Sequence, residues 1–123
     1  MHLIACEVFR PELEQLDHEE CWAVYLSSSN RIIERQRISQ GGVTGTVVDY
    51  KLIVKRAVER LAQGILLVHN HPSGNPSPSD ADTLITEKLV RAASLFEITV
   101  ADHVIITSGE CYSFRSHGFF DRL

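Results

Sequence analysis

Two helical-period stretches separated by short apolar runs organise this chain. Residues 21–26 are apolar and include Trp22, Val24 and Tyr25, a strand composition. Ser27, Ser28, Ser29 and Asn30 then supply turn residues, so residues 31–39 are expected to pair back as the second strand of a hairpin. Before this hairpin, residues 10–19 carry Leu13 and Leu16 among acidic neighbours and read as a short helix or helical turn. Residues 40–45, with three glycines, read as a loop. Val54, Ala57, Val58 and Leu61 recur at helical spacing within residues 48–63, and Gly64 follows as a stop. Ile65, Leu66, Leu67 and Val68 are wholly apolar, the pattern of a central strand buried on both faces. A second helix is expected over residues 79–96, with Ala81, Leu84, Ile85, Leu89, Ala92, Ala93 and Phe96 as its apolar stripe. Residues 98–107 and 111–114 read as two further strands joined near Ser108 and Gly109. The order hairpin–helix–strand–helix–hairpin describes an α/β sandwich with helices packed on a mixed sheet.

Composition narrows the class without changing that picture. A chain of 123 residues with 44% hydrophobic and 23% charged residues is an ordinary single globular domain, expected over residues 1–123. It can bury roughly two-thirds of its unfolded surface, so it needs no disulfide scaffold. The net charge of -4 argues against a broad phosphate-binding surface, because phosphate contacts come chiefly from Lys and Arg. Cys6, Cys21 and Cys111 are too scattered for a disulfide framework or a C-x-x-C metal site, and they read as small buried hydrophobes in a reducing compartment. No apolar run approaches the roughly 18 residues of a membrane span. Nor does the segment up to Arg10 pair a basic region with an apolar core, so no signal peptide is expected. These features predict a cytoplasmic domain with no membrane partner.

The chemistry concentrates between His69 and Asp82. In an extended strand, side chains at i and i+2 share a face, so His69 and His71 can reach one point. Pro72, Pro76 and Pro78 keep the following loop out of a helix until Ser79, a preferred N-cap residue. Ser79 and Asp82 then lie on one face of the first helical turn. Two imidazoles at a strand end and a carboxylate at a helix start form the ligand set of a catalytic zinc site with an open position. Mixed N/O ligation by itself leaves iron, manganese and nickel open. The plain alternative for Ser79-x-x-Asp82 is a capping box with Asp in place of the usual Glu.

His69-x-His71, seven residues, then Ser79-x-x-Asp82 match the H-x-H-x7-S-x2-D pattern of the JAMM (MPN-plus) metalloproteases. With Pro72-Ser73-Gly74 after the histidines and Asp102-His103 after the second helix, the chain resembles the RadC branch, from about Glu19 onward. The resemblance implies a cytidine-deaminase-like three-layer α/β sandwich, the JAB/MPN domain, with one zinc ion per chain. It makes His69, His71 and Asp82 the zinc ligands and Ser79 the donor to the oxyanion formed when water attacks a carbonyl. An upstream Glu is the general base. The RadC pattern selects Glu19, whereas the general JAMM spacing favours Glu20.

Two departures stand out. Tyr50-Lys51 replaces the usual Pro-Arg pair, and residues 113–118 lack the usual Glu. The N-terminal helix-hairpin-helix region of full-length relatives is not expected here. Asp102 is read as a partner that orients a ligand imidazole, and His103 as a structural residue or one that supports a ligand from behind. His2, His18 and His117 have no partner pattern and read as surface residues. Three functions follow: a zinc hydrolase of peptide, isopeptide or related amide bonds; a non-catalytic binding module on the same fold; and a DNA-repair-associated protein. The first is expected, and the acidic balance makes nucleic acid the least expected partner.

Overall fold

The computed structural model describes residues 2–40 and 48–123. Helix α1 (His2–Leu13) precedes strands β1 (Glu20–Leu26) and β2 (Ile32–Gln40). Helix α2 (Tyr50–Glu59) leads into β3 (Gly64–Asn70), and α3 (Asp80–Ser94) into β4 (Thr99–Ile106). Strand β5 (Cys111–Ser113) and a short 3-10 turn, Phe119–Arg122, complete the chain. The sheet has the order β2-β1-β3-β4-β5. β3 and β4 are parallel, joined through α3, and the other neighbours are antiparallel. The expected loop at residues 40–45 falls, from residue 41 on, outside the described residues.

Alternation along β1 explains the layering. Cys21, Ala23 and Tyr25 join Ile65 and Leu67 in a core closed by Ile53, Val54 and Ala57 of α2 and Leu89 and Ala93 of α3. Val24 and Leu26 point the other way, with Leu66, Val68 and Val104, against Ala5, Phe9 and Leu13 of α1. The result is a mixed five-stranded sheet with helices on both faces, the three-layer sandwich expected for a JAB/MPN domain. No helix among the described residues is long and apolar enough to cross a membrane.

Several boundaries differ from the sequence expectation, for identifiable reasons. The first helix lies earlier than residues 10–19, because Ala5, Phe9 and Leu13 make the apolar stripe. Helix α2 stops before Gly64. Leu61 takes φ +53, Ala62 N–H donates to Ala57 C=O, and Leu61 N–H donates to Val58 C=O, a Schellman ending without glycine. Helix α3 ends the same way, with Glu97 at φ +59 and Ile98 N–H donating to Ala93 C=O. The buried stripe of α3 includes Thr86, Leu89 and Ala93, whereas Leu84 and Phe96 are exposed. Leu89 and Ala93 belong to the expected stripe, and only the polar Thr86 escapes a count of apolar positions.

The cysteines also depart from expectation. A disulfide joins Cys6 of α1 to Cys111 of β5, with Cα atoms 6.2 Å apart, and only Cys21 is a free buried thiol. A separation of 105 residues hides such a pair from local spacing.

Candidate metal centre

Near the end of strand β3, His69 lies on the α2/α3 side of the sheet, and His71 follows one residue beyond the strand's last residue, Asn70. Helix α3 starts across from them, capped by Ser79. Ser79 Oγ accepts from Asp82 N–H at 3.0 Å, and Ser79 N–H donates to Asp82 Oδ2 at 2.8 Å. The capping box is therefore real, and it aims the Asp82 carboxylate back at the strand. Asp82 Oδ1 lies 3.3 Å from His69 Nε2, and Oδ2 lies 3.1 Å from His71 Nε2. Asp82 thus serves the cap and faces the two imidazoles at once.

His69, His71 and Asp82 form a group that could hold a metal ion, with one donor atom from each within 4.8 Å of the others. The chemistry of the donor set fits a cation. The two Nε2 atoms lie 2.9 Å apart, a distance that a shared proton or a cation held by both rings would bridge. Their outer nitrogens are occupied. His71 Nδ1–H donates to Asn75 C=O at 2.8 Å. On the other ring, Thr86 Oγ1–H is committed to Asp82 C=O at 2.6 Å, so Thr86 Oγ1 accepts His103 Nδ1–H at 2.6 Å. His103 Nε2 is then left to accept His69 Nδ1–H at 2.7 Å. This assignment occupies the outer nitrogen of each ring and leaves both Nε2 atoms facing Asp82, where each donates to the carboxylate when protonated or offers its lone pair to a cation.

Electrostatics follow from burial and these contacts. Burial drives His103 well below the ordinary imidazole value, with His69 adding to the effect, so it stays neutral and can accept. Burial opposes charge on Asp82, but hydrogen bonds from His69 and His71 outweigh it and hold the carboxyl far below the usual range. Burial likewise opposes charge on His71, yet Asp82, the Asn75 carbonyl and Glu19 together raise its pKa. Beneath the site, burial pushes the Cys21 thiol up to about 12, helped by Asp82 and Glu19, so it is no thiolate ligand.

The two upstream acids separate by strand alternation. Glu19 Oε1 reaches 3.9 Å from His71 Nε2, on the face shared with Cys21 and His69. Glu20 turns away: it accepts from Trp22 Nε1–H at 3.1 Å, lies 3.0 Å from His18 Nε2 and pairs with Arg37. Burial works against its charge, but His18, Trp22 and Arg37 together lower its pKa. His18 is thus engaged rather than a bare surface residue. His117 stacks on Tyr112 with ring centroids 4.0 Å apart, and the side chain of His2 lies outside those described.

The partner of the ligand imidazole is His103, not Asp102. Asp102 accepts from Ser113 Oγ–H at 2.5 Å and from Arg115 N–H at 3.0 Å, fastening the turn after β5. His103 sits beside His69 because β4 runs parallel to β3 with Leu67 opposite His103. Thr86 and Asn75 were absent from the sequence reading. Thr86 could have been found one helical turn beyond Asp82, whereas the Asn75 carbonyl carries no side-chain signal.

Comparison with known proteins gives the family. The model of the RadC-like JAB domain matches residues 3–119. A UPF0758 protein of Flavobacterium johnsoniae is 41% identical over 116 residues, covering 94% of this chain and 51% of that one. The UPF0758 protein YfjY of Escherichia coli is 41% identical over 103 residues, covering 84% of this chain and 64% of that one. A UPF0758 protein of Porphyromonas gingivalis is 40% identical over 116 residues, and this chain spans about half its length, 51%. The chain belongs to the RadC-like JAB domain family.

Proposed function

We propose that this domain is a zinc-dependent hydrolase of the JAMM type, acting in the cytoplasm on a peptide, isopeptide or related amide bond. The observation that carries the reading is the convergence of His69 Nε2, His71 Nε2 and the Asp82 carboxylate, with Glu19 Oε1 3.9 Å from His71 Nε2. Zinc suits two imidazoles and one carboxylate, and when bound it supplies an open position where a water is acidified to a pKa of about 7.

The protein's own groups supply the rest. The Glu19 carboxylate, 3.9 Å from His71 Nε2, would take a proton from the attacking water and pass it to the leaving amine. Ser79 Oγ already accepts from Asp82 N–H, and its own proton has no acceptor among the described residues. That proton is available to the oxyanion as the carbonyl carbon becomes tetrahedral. His103 and Asn75 hold the two imidazoles in the tautomer that keeps both Nε2 lone pairs inward. Nucleic acid has no part in this reading, consistent with the net charge of -4.

The test is a cleavage screen with the zinc-loaded protein, using mixed peptides and conjugates joined through lysine side-chain amides. Newly exposed amines are read by mass spectrometry. Cleavage by the parent and its loss in Glu19→Gln is the expected result. Peptides bound but left intact under all conditions would contradict catalysis and make the domain a binding module.

A further inference from the structure

Asn70 stands between the two histidines, and strand alternation sends its side chain away from them. It is 1% exposed, and both ends of its amide serve the same short segment. Asn70 Oδ1 accepts from Glu20 N–H at 2.7 Å, and Asn70 Nδ2–H donates to His18 C=O at 2.9 Å. The last backbone pair between β1 and β3 is Cys21 with His69. Asn70 therefore continues the ladder with a side chain where backbone pairing stops. The residue bracketed by its two hydrogen bonds is Glu19.

We propose that Asn70 is a positioning residue that sets the reach of the Glu19 carboxylate over the open side of the metal centre. The inference rests on the reading of Glu19 as the general base. Rigid strand β3 then carries the imidazole ligands and also fixes the base against them. The alternation Glu19/Glu20 makes the clasp matter, because a slip of one residue would exchange the two carboxylates between faces. Only an amide answers both needs here. Aspartate keeps the acceptor for Glu20 N–H but sets a second oxygen against His18 C=O, and alanine leaves a buried N–H and C=O without partners.

The experiment uses the full chain loaded with cobalt(II), whose visible bands report the surroundings of the ion. Asn70→Asp, Asn70→Ala, Glu19→Gln and the double variant Asn70→Asp/Glu19→Gln are compared at one pH, with amide hydrogen exchange on each. All are expected to keep about one metal ion per chain. The Glu20 amide should exchange about tenfold faster or more in Asn70→Ala, which removes its acceptor, whereas Asn70→Asp keeps that acceptor and loosens the segment at His18 C=O. The Asn70 variants should shift the cobalt bands as Glu19→Gln does, and Asn70→Asp should add nothing on top of Glu19→Gln. Loss of metal in Asn70→Asp, unshifted bands despite faster exchange, or additive shifts in the double variant would each overturn the proposal. If Glu19→Gln itself leaves the bands unchanged, the Glu19 reading fails first and the proposal falls with it. Should Asn70→Ala fail to fold, the isosteric Asn70→Asp carries the comparison.

Discussion

Each imidazole at this centre has one nitrogen anchored in the protein and the other turned toward Asp82, so protons and metal compete for the same lone pairs. His71 is the group where that competition becomes measurable, because Asp82, the Asn75 carbonyl and Glu19 raise its pKa despite burial. Metal must displace the proton wherever His71 is protonated. Zinc affinity is therefore predicted to fall about tenfold per pH unit below the His71 pKa, starting above the ordinary value of about 6.5. Chelator competition over that range measures it, and a flat affinity would contradict the assignment. The metal-free chain has the opposite dependence at this residue. Protonated His71 contributes stability that is complete below its unfolded pKa and lost as pH rises through the raised folded value.

At the scale of elements, one capping box does two jobs. Ser79→Ala should cost about 1 kcal/mol of stability through the lost cap and about a hundred- to a thousand-fold in turnover through the lost oxyanion donor. Ser79→Asp separates them, since aspartate caps well but offers no hydroxyl proton. Thermal unfolding should recover in Ser79→Asp while cleavage does not. Recovery of both would remove Ser79 from the chemistry. Elements also show where the sequence was readable. H-x-H and S-x-x-D place their side chains by strand alternation and by one helical turn, both local rules that need no partner. The same alternation groups Glu19 with Cys21, Ala23 and Tyr25, and Glu20 with Trp22, which would have chosen between the acids without any family pattern. The helix ends were not readable, because Leu61 and Glu97 adopt positive φ where glycine would be expected. A supporting role for His103 was legible, but its pairing with His69 was not, because only the β3–β4 register, across 34 residues, brings them together.

The whole molecule is a sheet whose two faces have separate duties. The α2/α3 face carries the candidate metal centre, and the α1 face is tied across the sheet by Cys6–Cys111. Disulfides typically stabilise by about 2–4 kcal/mol, and the chain-entropy relation gives about 4.7 kcal/mol for a closed loop of about 100 residues. Cys111→Ala is therefore predicted to lower stability by that order in oxidising buffer while leaving metal content unchanged, as denaturant unfolding and metal analysis would show. Thiol labelling in intact cells adds the location: both cysteines reactive is the outcome a reducing cytoplasm predicts. The most direct test of the central claim is elemental analysis of the unsupplemented protein beside His69→Ala and Asp82→Ala. About one zinc per chain in the parent and loss in both variants is predicted. A well-folded parent that holds no metal, even after zinc is added back, would contradict the account.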